Sequence, residues 1–158
     1  VAKQKERPQP APERAPDDLD PLVRKHLAFG WWALAIYTLV GLVLEAAHGL
    51  KVAWYLDVTS ATRRLSLTLG HAHGTLLGLV NIAFALSLRH AKLSPGALAR
   101  ASLALRLATV LMPLGFLAGG FVVYAGDPGI GIVLVPPSAV ILIIGVATFA
   151  RGFSSRSR

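Results

Sequence analysis

LGHAHGTLLGLVNIAFALSL, residues Leu69 to Leu88, is the stretch that decides the fold. Its length matches the ~20 residues that an α-helix needs to cross ~30 Å of hydrocarbon. Its composition is that of a membrane span interrupted by His71, His73 and Asn81. Ionisable groups inside such a span are costly, so each imidazole marks a candidate functional site. Glycines at 70, 74 and 78 recur every fourth residue. That spacing lets two helix backbones approach closely. By helical angle Asn81 shares the glycine face and His71 flanks it. His71 is therefore expected to meet another helix of this chain. His73 lies toward Leu77, Val80 and Phe84, and is expected to face a partner or an axially bound ring.

The span extends back to Leu65, and three similar runs accompany it: Leu27 to Ala47, Ala101 to Tyr124 and Gly129 to Ala150. With 54% apolar residues and a mean hydropathy of +0.57, the chain is too oily for a soluble domain with a polar coat. The expected fold is an all-α integral membrane protein, four transmembrane helices in an antiparallel bundle. The first run follows about 26 polar residues and is too long for the apolar core of a signal peptide, so it is read as a span. The absence of cysteine rules out disulfides, thiolate-bound zinc and cysteine-bound iron–sulfur clusters.

A net charge of +8 suggests nucleic acid until its placement is considered. Lys3, Lys5, Arg7, Arg14, Arg24 and Lys25 precede the first span. Arg89, Lys92 and Arg100 lie between the second and third, and Arg151, Arg156 and Arg158 follow the fourth. The alternate loops hold only Lys51, Arg63 and Arg64. Cytoplasmic loops of membrane proteins carry this excess of Lys and Arg. Both termini are therefore expected to be cytoplasmic, in the inner membrane, with the lipid bilayer and not nucleic acid as partner. His26 and His90 then fall at the inner boundary and are expected to be interfacial.

The chain divides into a polar tail (1–20), a transmembrane domain (21–151) and a short basic tail (152–158). The first tail cannot bury a core and is expected to be disordered alone, or held by a partner. In the first outer loop Trp54 and Tyr55 suit the aromatic belt at a membrane surface. Asp57, Thr59 or Ser60 is placed to cap a helix starting near Ala61. Ser94 and Pro95 form a cap and first-turn pair opening the third helix. Pro113 is expected to bend that helix, and Pro136-Pro137 to break or kink the fourth.

Two constellations carry chemistry. Glu45 and His48 form Glu-x-x-His, whose members share one helix face, as in the carboxylate metal sites of helical bundles. With His71 they make the expected metal site, near the outer end of the first two helices. His71 and His73 are the expected cofactor ligands. At 100° per residue they point about 200° apart and cannot easily share one ion. The competing reading for His71 and His73 is hydrogen bonding between helices with no ligand; for Glu45 and His48 it is pairing with each other, or contact with water near the interface.

The string GHAHGTLLGLVNIAFAL resembles the His-x-His helix of small four-helix membrane proteins distantly similar to haem–copper oxidase catalytic subunits, and that of the NnrS haem–copper membrane family. The likeness covers residues 69 to 85. It implies ligation of haem b or copper by His71 or His73. The chain lacks the many helices and further histidines of full oxidases, so the resemblance implies no oxygen reduction by this chain alone. Three functions follow as expectations. The first is a haem- or metal-binding accessory subunit of a membrane redox complex. The second is a cofactor-free structural subunit that docks on other membrane subunits or on copies of itself. The third is a small transporter, motivated by the broken fourth helix and an intramembrane Glu45. Catalytic residues are not assigned.

The topology can be tested directly because the chain has no cysteine. Lys3→Cys and Ser155→Cys should resist impermeant thiol reagents in intact cells, while Thr59→Cys reacts. Labelling of both tails from outside would reverse the orientation.

Overall fold

The computed structural model describes residues 19–57 and 61–154. The expectations for the N-terminal tail up to residue 18, for capping by Thr59 or Ser60, and for residues 155–158 lie outside them. The long elements are α1 (Asp20–Gly49), α3 (Ala61–Ser87, prolonged by a 3-10 turn Leu88–His90), α4 (Pro95–Phe121) and α5 (Val135–Ser154, preceded by a 3-10 segment Ile130–Leu134). All four are long and apolar enough to cross a membrane. A short helix α2 (Ala53–Leu56) lies between α1 and α3. A small hairpin of β1 (Val123–Tyr124) and β2 (Asp127–Pro128) lies between α4 and α5. Its two turn residues, Ala125 (φ 51°) and Gly126 (φ 89°), both have positive φ, which a two-residue turn between twisted strands requires. One end of the molecule thus carries Arg24, Lys25, Arg89, Lys92 and Arg100 (the basic end). The other carries α2 and the hairpin (the hairpin end).

The helices pack in chain order: α1 on α3, α3 on α4, and α4 on α5. No interface of comparable extent joins α1 to α5. The four long helices form an antiparallel row with α3 and α4 inside. Small residues explain who packs on whom. A Cβ on Gly30 of α1 would lie 2.8 Å from the Gly78 carbonyl of α3, so these backbones touch. A Cβ on Gly74 would collide with the Tyr37 ring. Gly70 instead faces Pro113 and Leu117 of α4, so the stripe expected from the sequence serves two neighbours. Gly115 and Gly119 admit the segment Gly129–Val135 against α4.

Pro136 and Pro137 occupy the first turn of α5 and not its middle. There the missing N–H groups are among those that have no intrahelical partner anyway. The expected mid-helix break is therefore absent. Pro113 lies within an uninterrupted α4. Ser94 caps α4 as expected, its hydroxyl accepting from the Ala97 N–H at 3.3 Å.

The largest departure from expectation is His26. It is 0% exposed and sits inside the basic end, its ring 4.5 Å from that of Phe84. Its partners fix every proton. Thr109 donates its hydroxyl to the Leu105 carbonyl (2.7 Å), so it accepts from Asn81 Nδ2 (2.8 Å). Asn81 gives its other amide hydrogen to the Leu77 carbonyl (2.9 Å). Its Oδ1 is then the acceptor for the His26 Nδ1–H (2.8 Å), and Nε2 of the neutral ring accepts from the Ser102 hydroxyl (2.8 Å). This chain of bonds joins α1, α3 and α4. His90, by contrast, is exposed, as an interfacial residue should be.

Magnitudes rank the two kinds of contact. Hydrogen bonds between membrane helices average ~0.6 kcal/mol, whereas overpacking typically costs ~1–3 kcal/mol. Gly74→Leu should accordingly lower thermal stability in detergent more than Ser102→Ala. The reverse order would show that the polar chain, and not the close backbone approach, dominates.

Candidate functional site

His71 lies ten residues into α3, about 15 Å along its axis from Ala61. It is half-buried and reaches across to α1, where its Nδ1–H donates to the Tyr37 carbonyl at 2.7 Å. In a helix that carbonyl already accepts from the N–H four residues on, and it has a second lone pair to offer. Side chains tilt toward the helix N-terminus, so residue i+4 normally shields carbonyl i. Here i+4 is Gly41. A Cβ at that position would collide with the His71 ring, so the glycine makes the bond possible. Tyr37 is itself held. It is buried, its ring lies over Gly74, and its hydroxyl donates to the Thr109 carbonyl at 3.1 Å.

His73 leaves α3 on another side. Its Nδ1–H donates to the Leu69 carbonyl of its own helix at 2.8 Å. Its ring stacks on Phe116 of α4, with centroids 4.9 Å apart and planes 30° apart. The divergence of the two imidazoles read from their spacing is therefore present, with His71 against α1 and His73 against α4. His73 meets a helix of this chain where a partner or cofactor was expected. A carbonyl can only accept, so Nδ1 of each ring carries a hydrogen, and when the ring is neutral Nε2 keeps its lone pair. Metal-ligating histidines are oriented in this way, the non-ligating nitrogen donating to a carbonyl or carboxylate.

Glu45 and His48 do not join them. Both are exposed near the C-terminal end of α1, and His48 meets Tyr55 edge-on at 6.4 Å. Among the described residues no ion pair links Glu45 to His48, and no three His, Asp or Glu side chains gather as a metal-holding group. The outer loop is tied down by arginines instead. Arg63 donates to the Trp54 carbonyl (2.8 Å) and lies 4.7 Å from that ring's centroid. Arg64 reaches the Leu56 carbonyl at 3.2 Å. Trp54 stacks on Phe121, while Tyr55 is buried rather than belt-like.

Sequence reasoning missed Tyr37, Gly41 and the His26 chain. A signal was available: His26, Gly30, Ala33, Tyr37 and Gly41 recur at intervals of four, three, four and four, one face of a helix. Compared with known proteins, the chain matches no family model, no curated protein and no solved structure.

The His71 bond carries its own test. In the wild type, 15N NMR of the imidazoles should give the Nδ1–H tautomer for His71. Gly41→Val should displace the ring from the Tyr37 carbonyl and change that signal, leaving His73 unaltered. An unchanged His71 signal in this variant would mean that the ring does not rest on Gly41.

Proposed function

We propose that the protein is a multi-pass subunit of the inner membrane, its basic end cytoplasmic, that holds haem b or copper through His71 or His73 and serves a membrane redox complex. The observation that carries this reading is the paired Nδ1–H to carbonyl bonds, which leave Nε2 of each ring as a ready donor. The resemblance of residues 69–85 to a haem–copper His-x-His helix supports the same assignment. The donor set fits such a group in part. Each neutral imidazole suits haem iron or copper as a single ligand. The rings diverge, so the two do not hold one ion together, and any further ligands come from a partner subunit or a second copy. Bound there, the group would supply one-electron transfer. This chain's residues would orient the rings, the Tyr37 carbonyl holding His71 and the Leu69 carbonyl and Phe116 ring holding His73, with hydrogen on Nδ1 of each.

A second reading is favoured by a specific observation. The buried chain through His26, Asn81, Ser102 and Thr109 shows that polar residues in these helices can be spent wholly on holding helices together. On that reading His71 and His73 do the same, and the protein is a cofactor-free structural subunit. The transport reading rests on Pro136-Pro137, which lies in the first turn of α5, and on Glu45, which is exposed near the C-terminal end of α1.

The protein purified from its native membrane should contain haem, seen as a Soret band, or copper by elemental analysis. His71→Ala or His73→Ala should lose it while circular dichroism stays that of the wild type. Native material free of both metal and haem establishes the structural reading instead.

A further inference from the structure

Arg106 is unexplained by anything above. It lies on α4 eleven residues from Pro95, about 16 Å along the axis. Its Nε is buried, and among the described residues no acceptor reaches it. Arg63, the other arginine with an unpartnered Nε, at least has its Nη1 and its cationic face engaged. Among the described residues Arg106 makes no ion pair; the one recorded joins Arg89 to Asp20.

One helical turn further from the basic end on the same face are Thr109 and Val110. With Phe29, Trp32 and Ile36 of α1 they line an almost wholly apolar groove of about 240 Å³. Trp32 and Ile36 are mostly exposed, so the groove opens outward from the helix row. Arginine side chains tilt toward their helix N-terminus and snorkel toward water. For Arg106 that direction is the basic end, where Arg24 and Lys25 add positive charge. An arginine with no ion pair among the described residues therefore lies one helical turn from an apolar trough, on the side of the basic end.

We infer that this groove binds one anionic phospholipid, its phosphate at Arg106 and an acyl chain along Phe29, Trp32, Ile36 and Val110. Arginine suits the phosphate because its planar fork donates two parallel hydrogen bonds. The inference rests on the membrane placement proposed above and is independent of any haem or copper.

The test is native mass spectrometry of the full chain released from nanodiscs of mixed phosphatidylglycerol and phosphatidylcholine. The wild type should retain one phosphatidylglycerol in preference to phosphatidylcholine. Arg106→Gln should lose that preference by on the order of tenfold, the scale of a hydrogen bond to a charged group. Arg106→Lys should restore part of it. Val110→Trp, which fills the groove but keeps the charge, should reduce retention of either lipid at this site. Exposed Lys92→Gln should change nothing. Equal retention of the two lipids by the wild type overturns the inference without reference to any variant. So does displacement by glycerol phosphate, which has no acyl chain and would make this a free-phosphate site. A dimer that excludes lipid from the groove would assign it to a second copy. Failure to enter nanodiscs would remove the membrane placement itself, a result distinct from insertion without lipid preference.

Discussion

A polar group buried between apolar helices must find its partner within the protein, because apolar surroundings offer none. The arrangement of α1, α3 and α4 follows from that constraint. Asn81 is the hinge of the matter. It spends one amide hydrogen on its own helix, gives the other to Thr109 of α4, and accepts from His26 of α1. Sliding any of the three helices by one turn would leave at least one of these groups bare. The close approach of Gly30 and Gly78 fixes how near the helices lie, and the hydrogen bonds fix which residues are level.

Three of the histidines in the helix row, His26, His71 and His73, illustrate how one side chain is put to different ends. His26 has both ring nitrogens occupied by protein and is fully enclosed. His71 and His73 have one nitrogen occupied each, and both are only half-buried. A ring with no free nitrogen can only hold the fold together. Rings with one free nitrogen can do that and still accept a ligand. This difference, rather than the presence of histidine in a membrane segment, separates the structural from the candidate functional sites.

The number of long helices was legible in the sequence because length and apolarity alone set it. So was the opening of α4, where Ser94 and Pro95 act through purely local geometry. The lateral order of the helices was not legible from apolar residues, since lipid and a neighbouring helix are equally apolar. Only small and polar residues distinguish the two, and Gly70, Gly74 and Gly78 did so for α3. Pro136-Pro137 was misplaced because Ile130–Leu134 continues the apolar run ahead of the α-helix and hides where it begins. His26 was misread because its charged neighbours Arg24 and Lys25 suggest the surface, while its helical register with Gly30, Ala33 and Tyr37 points inward. The Glu-x-x-His spacing correctly put Glu45 and His48 on one helix, but both remain exposed.

Packing in chain order also bears on synthesis. Each long helix finds its main neighbour in the one made just before it, so every large interface can form as the next span emerges. Contacts that are local in sequence form fast. The polar chain does not obey this order. A hairpin of α1 and α3 can join His26 to Asn81, but the partner of the second imidazole nitrogen, Ser102, arrives only with α4. Until then that nitrogen lacks its partner, so α4 is the helix that completes this chain of bonds.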